Sequence, residues 1–182
     1  MGVAVLVYPI FVYFGIKYTE PKYIALVFLV VLVLRVIIPN PASRRIPWLM
    51  PATILGGIVL LSSVVLDNEW GLLLYPTVIN LTLLAVFAWS LYKKPSVIET
   101  LARLSEPALS KAAVSYTEKV TLSWCIFFLC NTAISLYTVW LSDMAVWTIY
   151  NGFVAYILIG IFFLVELIIR RQVKKQHSNE TS

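Results

Sequence analysis

The sequence predicts an all-α fold, a polytopic membrane bundle of about six transmembrane helices with a short amphipathic helix at the interface. Three observations carry this. Of the 182 residues, 60% are hydrophobic and 13% charged, whereas a soluble domain carries about a quarter charged residues. The apolar residues gather in six runs near the length that crosses a bilayer. All six tryptophans (Trp48, Trp70, Trp89, Trp124, Trp140 and Trp147) lie near the end of a run, where an amphipathic ring meets both lipid and water.

The runs are roughly 2–16, 23–38, 48–66, 71–92, 120–140 and 145–169, within a single transmembrane domain over 1–171. Residues 172–182 read as a disordered, basic and polar tail. The first two runs are short for a hydrocarbon layer of about 30 Å, which takes about 20 helical residues. The first also contains Pro9, so a full crossing and a half-inserted helix are both open, the latter leaving five spans and a partial one. It has no Lys/Arg-rich start and no small-x-small cleavage site, so it reads as a span rather than a secretory signal. The start "MGVAVL" also lacks the hydroxyl residue that N-myristoylation requires.

The connectors "DNEWG" and "LSDMA" are tight turns, and links this short make neighbouring helices antiparallel. With six spans, eleven cations fall on one side: Arg44 and Arg45, then Lys93, Lys94, Arg103, Lys111 and Lys119, then Arg170, Arg171, Lys174 and Lys175. The other side has Lys17 and Lys22, and its tight turns carry Asp67, Glu69 and Asp143. The excess of positive charge places the long 93–119 loop and both termini in the cytoplasm. The net charge of +5 is thus an orientation signal, and nucleic acid is not an expected partner.

The loop "KKPSVIETLARLSEPALSK" stands apart from its apolar surroundings. Ser96 and Glu99 have the spacing of a capping box. Val97, Ile98, Leu101 and Leu104 then recur on one side, with Glu99, Thr100, Arg103 and Glu106 on the other. Pro107 ends the helix, and Ser115 with Glu118 reads as the start signal of the next span. About ten residues are too few to cross a bilayer but suit a helix lying flat on the cytoplasmic interface, with Lys93 and Lys94 near anionic headgroups. Two roles fit. The segment is either an elbow between spans or a docking face made of Lys93, Lys94, Glu99, Arg103 and Glu106.

Within the spans, ionisable side chains are costly and point to function. Arg35 and Glu166 lie at similar depth on the cytoplasmic side. Either they pair, or Arg35 snorkels to the headgroups while Glu166 pairs with Arg170 one turn on. Asn80, Asn131 and Asn151 lie deeper, and Asn131, Ser135 and Thr138 form a stripe at helical spacing. Such side chains hold helices together by hydrogen bonds or line a path for a polar solute. Gly56, Gly57, Gly152 and Gly160 read as points of close helix approach. Cys125 and Cys130, about 140° apart around one helix, read as buried free thiols. No nucleophile–base pair, carboxylate pair, phosphate loop or metal-ligand spacing stands out, so no catalytic residue and no cofactor is expected.

Two segments, "KKPSVIETLARLSEPALSKAAVSYTEKVTLSWCIFFLCNTAISLYTVW" and "MAVWTIYNGFVAYILIGIFFLVELIIRR", closely resemble a family of small bacterial inner-membrane proteins associated with aryl-polyene pigment gene clusters. The resemblance covers about residues 93–171. A more distant one, through the basic-Pro segment and Trp124, Phe127, Phe128, Tyr137 and Trp147, is to the intracellular septation protein A family. Neither implies a catalytic residue. The first implies partners among cytoplasmic acyl carrier, ligase or ketosynthase proteins. The expected function is a non-enzymatic accessory or scaffold protein of cell-envelope or aryl-polyene lipid biosynthesis. The alternative is a small transporter or lipid-handling protein with a polar path near Asn80, Asn131 and Asn151.

Overall fold

A computed structural model describes residues 13–15, 17–37, 49–104 and 106–180; the side chains of Pro21, Arg35, Val36, 49–52 and 171–180 are not among the described ones. Every element over these residues is helical: α1 (Pro21–Ile37), α2 (Leu49–Leu66), α3 (Trp70–Tyr92), α4 (Val97–Arg103), α5 (Lys111–Trp140), α6 (Met144–Ile149), a π-helical turn (Tyr150–Val154) and α7 (Ala155–Glu180). Three segments are long and apolar enough to cross a membrane: Trp70–Tyr92, Lys111–Trp140 and Met144–Arg170. Two shorter apolar helical stretches, Lys22–Leu34 and Thr53–Leu66, lie before them. The expected first span, the 39–47 loop and Trp48 fall largely outside the described residues.

α1 packs on α2, α2 on α3 and α3 on α5, while α4 rests against α5 and α3. Tight turns set this order. Asp67 (φ 48°) and Ser142 (φ 56°) take the left-handed conformation that reverses the chain after α2 and after α5, one that short polar side chains tolerate better than branched ones. Asp143 then caps α6, its Oδ1 accepting from the amides of Ala145 (2.8 Å) and Val146 (3.1 Å). α2 and α3 approach closely at Gly71, where a Cβ would lie 2.2 Å from the Val59 carbonyl oxygen and 2.4 Å from Ser63 Oγ. The Ser63 hydroxyl uses that proximity to accept from the Leu72 amide at 3.0 Å.

Two apolar clusters make up the interior. Ala25, Leu32, Leu60, Leu72, Val139 and Trp147 form one, toward the acidic turns. Phe87, Val97, Cys125 and Phe128 form the other, toward the basic end, with Trp124 and Phe127 against it. On α3 and α5 a layer of hydroxyl and amide side chains separates them. Outside, long apolar side chains from Val27 and Ile58 through Ile126, Phe153 and Ile168 are exposed, the pattern of a bundle solvated by lipid rather than water.

Three details differ from the sequence reading. α5 begins at Lys111, capped by Ser110, whose Oγ accepts from the Ala113 amide at 3.2 Å; Ser115 lies inside the helix because Ala112 and Ala113 extend it by good helix formers. α7 continues to Glu180, where the composition of 172–182 suggested disorder. Cys125 is buried and Cys130 exposed, since 140° of separation on one helix turns the second thiol outward.

Candidate functional site

The polar layer is built on two departures from regular helix. Pro76 sits inside α3, where it has no amide to give to the preceding turn. The chain after α6 widens into the π-turn that holds Asn151; such turns inside helices are frequent at functional positions. Side chains occupy the backbone groups near both. Trp147 Nε1 donates to the Leu73 carbonyl at 3.1 Å, Asn80 Nδ2 to the Pro76 carbonyl at 2.8 Å and Asn151 Nδ2 to the Trp147 carbonyl at 3.0 Å.

Hydrogen-bond arithmetic then orders the rest. Ser135 Oγ donates to Asn151 Oδ1 at 2.8 Å. A hydroxyl has one proton, so in the 2.9 Å contact between Thr77 and Ser135 it is Thr77 that donates. Asn151 also gives an amide hydrogen to Thr138 Oγ1 at 3.2 Å, and Thr138 donates to the Ser135 carbonyl at 2.7 Å. Asn131 donates to Asn80 Oδ1 at 3.0 Å and accepts from the Tyr150 hydroxyl at 2.6 Å. The structure thus joins Asn80 to Asn131 and Ser135 to Asn151, across three helical segments. Its members are neutral amides, hydroxyls and one phenol, suited to holding helices together. Thr138 and Trp147 also line a shallow pocket at the acidic end with Glu69 and Asp143. Among the described residues no group of three His, Cys, Asp or Glu side chains is placed to hold a metal ion.

At the basic end, the segment around α4 is tied to both long helices. The Val97 amide donates to Ser90 Oγ on α3 at 3.1 Å, and the Ile98 amide to Thr121 Oγ1 on α5 at 3.4 Å. Lys94 forms a salt bridge with Glu118 of α5. Ser96 caps α4, accepting from the Glu99 amide at 3.2 Å. Of the proposed docking side chains, Glu99 is withdrawn from the surface. Glu99 is only 5% exposed and is gripped by Arg103, whose Nε and Nη2 reach Glu99 Oε1 at 2.9 and 2.7 Å. Arg103 Nη1 also donates to the Pro107 carbonyl at 2.9 Å. Glu99 is thus a buried brace held by the half-buried Arg103, Lys94 is exposed but engaged with Glu118, Lys93 and Glu106 are exposed, and Leu101 and Leu104 face outward.

Arg35 lies in α1, with its side chain outside the described residues. Glu166 lies on α7, its carbonyl accepting a long 3.5 Å hydrogen bond from the Tyr116 hydroxyl. Among the described residues its carboxylate makes no contact at salt-bridge distance, while Arg170 one turn on acts on it through its charge. α7 is held instead by Phe162, whose ring lies 4.6 Å from that of Trp124 and 5.3 Å from that of Phe127.

No protein-family model, curated protein or solved structure matches this chain.

Sequence reasoning passed over Pro76, Tyr150 and Trp147 as members of the polar layer. Pro76 carried a legible signal, a helix breaker in the middle of an apolar run. The π-turn carried none.

Proposed function

We propose that this protein is a non-enzymatic scaffold of a bacterial inner membrane, presenting the segment between α3 and α5 to a cytoplasmic protein of envelope or aryl-polyene lipid biosynthesis. In this reading the chain crosses six times, α4 lies at the cytoplasmic interface with Leu101 and Leu104 toward the acyl boundary, and the basic end faces the cytoplasm. The observation that carries it is the bracing of the segment. A loop that merely turned the chain would need few of the contacts that Val97, Ile98, Lys94 and Glu99 make. A preorganised surface loses less entropy when a partner binds.

The interior supports the same reading over the transport alternative. The amide of Asn131 is engaged with Asn80 and Tyr150, and that of Asn151 with Ser135 and Thr138, so a polar solute would have to break bonds that tie the helices together. The exposed cations Lys93, Lys111 and Lys119 suit an acidic partner, steered by complementary charge. The resemblance to proteins of aryl-polyene clusters supports an acyl carrier, ligase or ketosynthase in that place.

The test is co-purification of cytoplasmic proteins with the detergent-solubilised chain and with Lys111→Glu and Lys119→Glu. Both positions are exposed and belong to no brace. A partner captured by the wild type and lost from both variants, at equal recovery of folded protein, is the expected result. Capture unchanged by either reversal, or no capture by the wild type, contradicts the reading.

A further inference from the structure

We propose that Trp89, Tyr92 and Lys93 at the basic end of α3 form a binding site for the phosphodiester headgroup of an anionic phospholipid. This rests on the chain's crossing a membrane but not on its being a scaffold.

Two neighbouring lysines are used differently. Lys94 is committed to Glu118 of α5. Lys93 has no salt bridge among the described residues; its ammonium lies 5.3 Å from the centroid of the Trp89 ring. An indole face attracts a cation but accepts only part of what an ammonium can donate, so N–H groups remain for an anion. The Trp89 and Tyr92 rings lie 5.9 Å apart and are 59% and 81% exposed. Cation, indole and phenol therefore stand together on the surface.

Their position selects the ligand. α3 is 23 residues of apolar sequence without a charge, so its last turn lies where hydrocarbon gives way to headgroups. The anion abundant at that depth is the lipid phosphate. The Lys93 ammonium meets its charge, the Tyr92 hydroxyl donates to a non-bridging oxygen, and the exposed ring faces cover the glycerol and first methylenes. A zwitterionic lipid brings its own cation beside Lys93, so the site prefers a headgroup with net negative charge.

The full chain is reconstituted in nanodiscs of phosphatidylcholine and phosphatidylglycerol, then released gently, and the retained lipids are counted by native mass spectrometry. Wild type should retain phosphatidylglycerol over phosphatidylcholine. Lys93→Gln should lower that ratio about five-fold, Trp89→Leu should lower it as well, and Lys93→Arg should keep it. Lys94→Gln removes the same formal charge one residue away and should change the ratio by less than about two-fold. Equal losses in Lys93→Gln and Lys94→Gln mean diffuse attraction and overturn the proposal, as does an unchanged ratio in Lys93→Gln. Displacement of the retained lipid by soluble glycerol phosphate at equal concentration would make this a free-phosphate site and overturn it too. Loss of partner capture with lipid preference intact leaves this site standing while removing the scaffold reading.

Discussion

Asn131 and Asn80 meet side chain to side chain between α5 and α3, Asn131 Nδ2 donating to Asn80 Oδ1 at 3.0 Å. Each makes one further bond: Asn131 Oδ1 accepts from Tyr150 on the π-turn, whereas Asn80 Nδ2 donates to the Pro76 carbonyl of its own helix. Interhelical hydrogen bonds in a bilayer are worth about 0.6 to 2 kcal/mol. Asn80→Ala should therefore cost about 1 kcal/mol, and Asn131→Ala about 2, since it breaks two bonds between helical segments where Asn80→Ala breaks one. The double variant should cost less than the sum. Reversible unfolding in mixed micelles measures all three, and strict additivity would mean that the contact carries no energy.

Two glycines should respond in opposite directions. Gly71→Ala drives a methyl against the Val59 carbonyl and Ser63 Oγ, neither of which gives way without separating α2 from α3. It should destabilise by about 1 to 3 kcal/mol, in the range of core overpacking. At Gly160 nothing lies within 4 Å of an added Cβ, so Gly160→Ala should be neutral or stabilise by up to about 1 kcal/mol through helix propensity. Thermal unfolding in detergent separates the two, and equal effects would refute the α2–α3 contact.

Much of this architecture is legible from the residues. The long apolar runs, the tight turns at Asp67 and Ser142 and the Ser96 cap follow from local rules, and the stripe of Asn131, Ser135 and Thr138 reveals a polar face. What those rules cannot supply is the partner of each face. Helical spacing separates Leu101 and Leu104 from Glu99 and Arg103 but does not say which group meets the bundle, and an amphipathic pattern alone suggests that charge faces water. Here Ala102 and Val97 carry Glu99 inward, where Arg103 neutralises it. Gly160 illustrates the converse, a small residue in a span that faces no neighbouring helix among the described ones. The π-turn has no local signature, because it arises where Asn151 bonds to Ser135 and Thr138 on another helix.

The brace within α4 has its own consequence. Arg103→Ala leaves the buried Glu99 carboxylate without the two guanidinium N–H groups that donate to it. A loss of about 1 to 3 kcal/mol follows, the range for a hydrogen bond to a charged group. Glu99→Gln with Arg103→Ala should recover part of it by removing the stranded charge. Hydrogen exchange of the 96–104 amides in micelles reads this directly, with faster exchange in Arg103→Ala than in the double variant. The same rates in both would mean that Glu99 does not depend on Arg103.

A scaffold for a cytoplasmic protein needs the basic end of the bundle to face the cytoplasm, and topology reporters test that most directly. A reporter inserted between residues 107 and 110, or fused after Ser182, should read cytoplasmic, and one inserted in the 67–69 turn should read periplasmic. A reporter after residue 20 decides the first span, and a periplasmic signal there means a full crossing. A periplasmic reading from the 107–110 insertion would invert the bundle, place α4 and its braces away from every cytoplasmic protein, and contradict the scaffold outright.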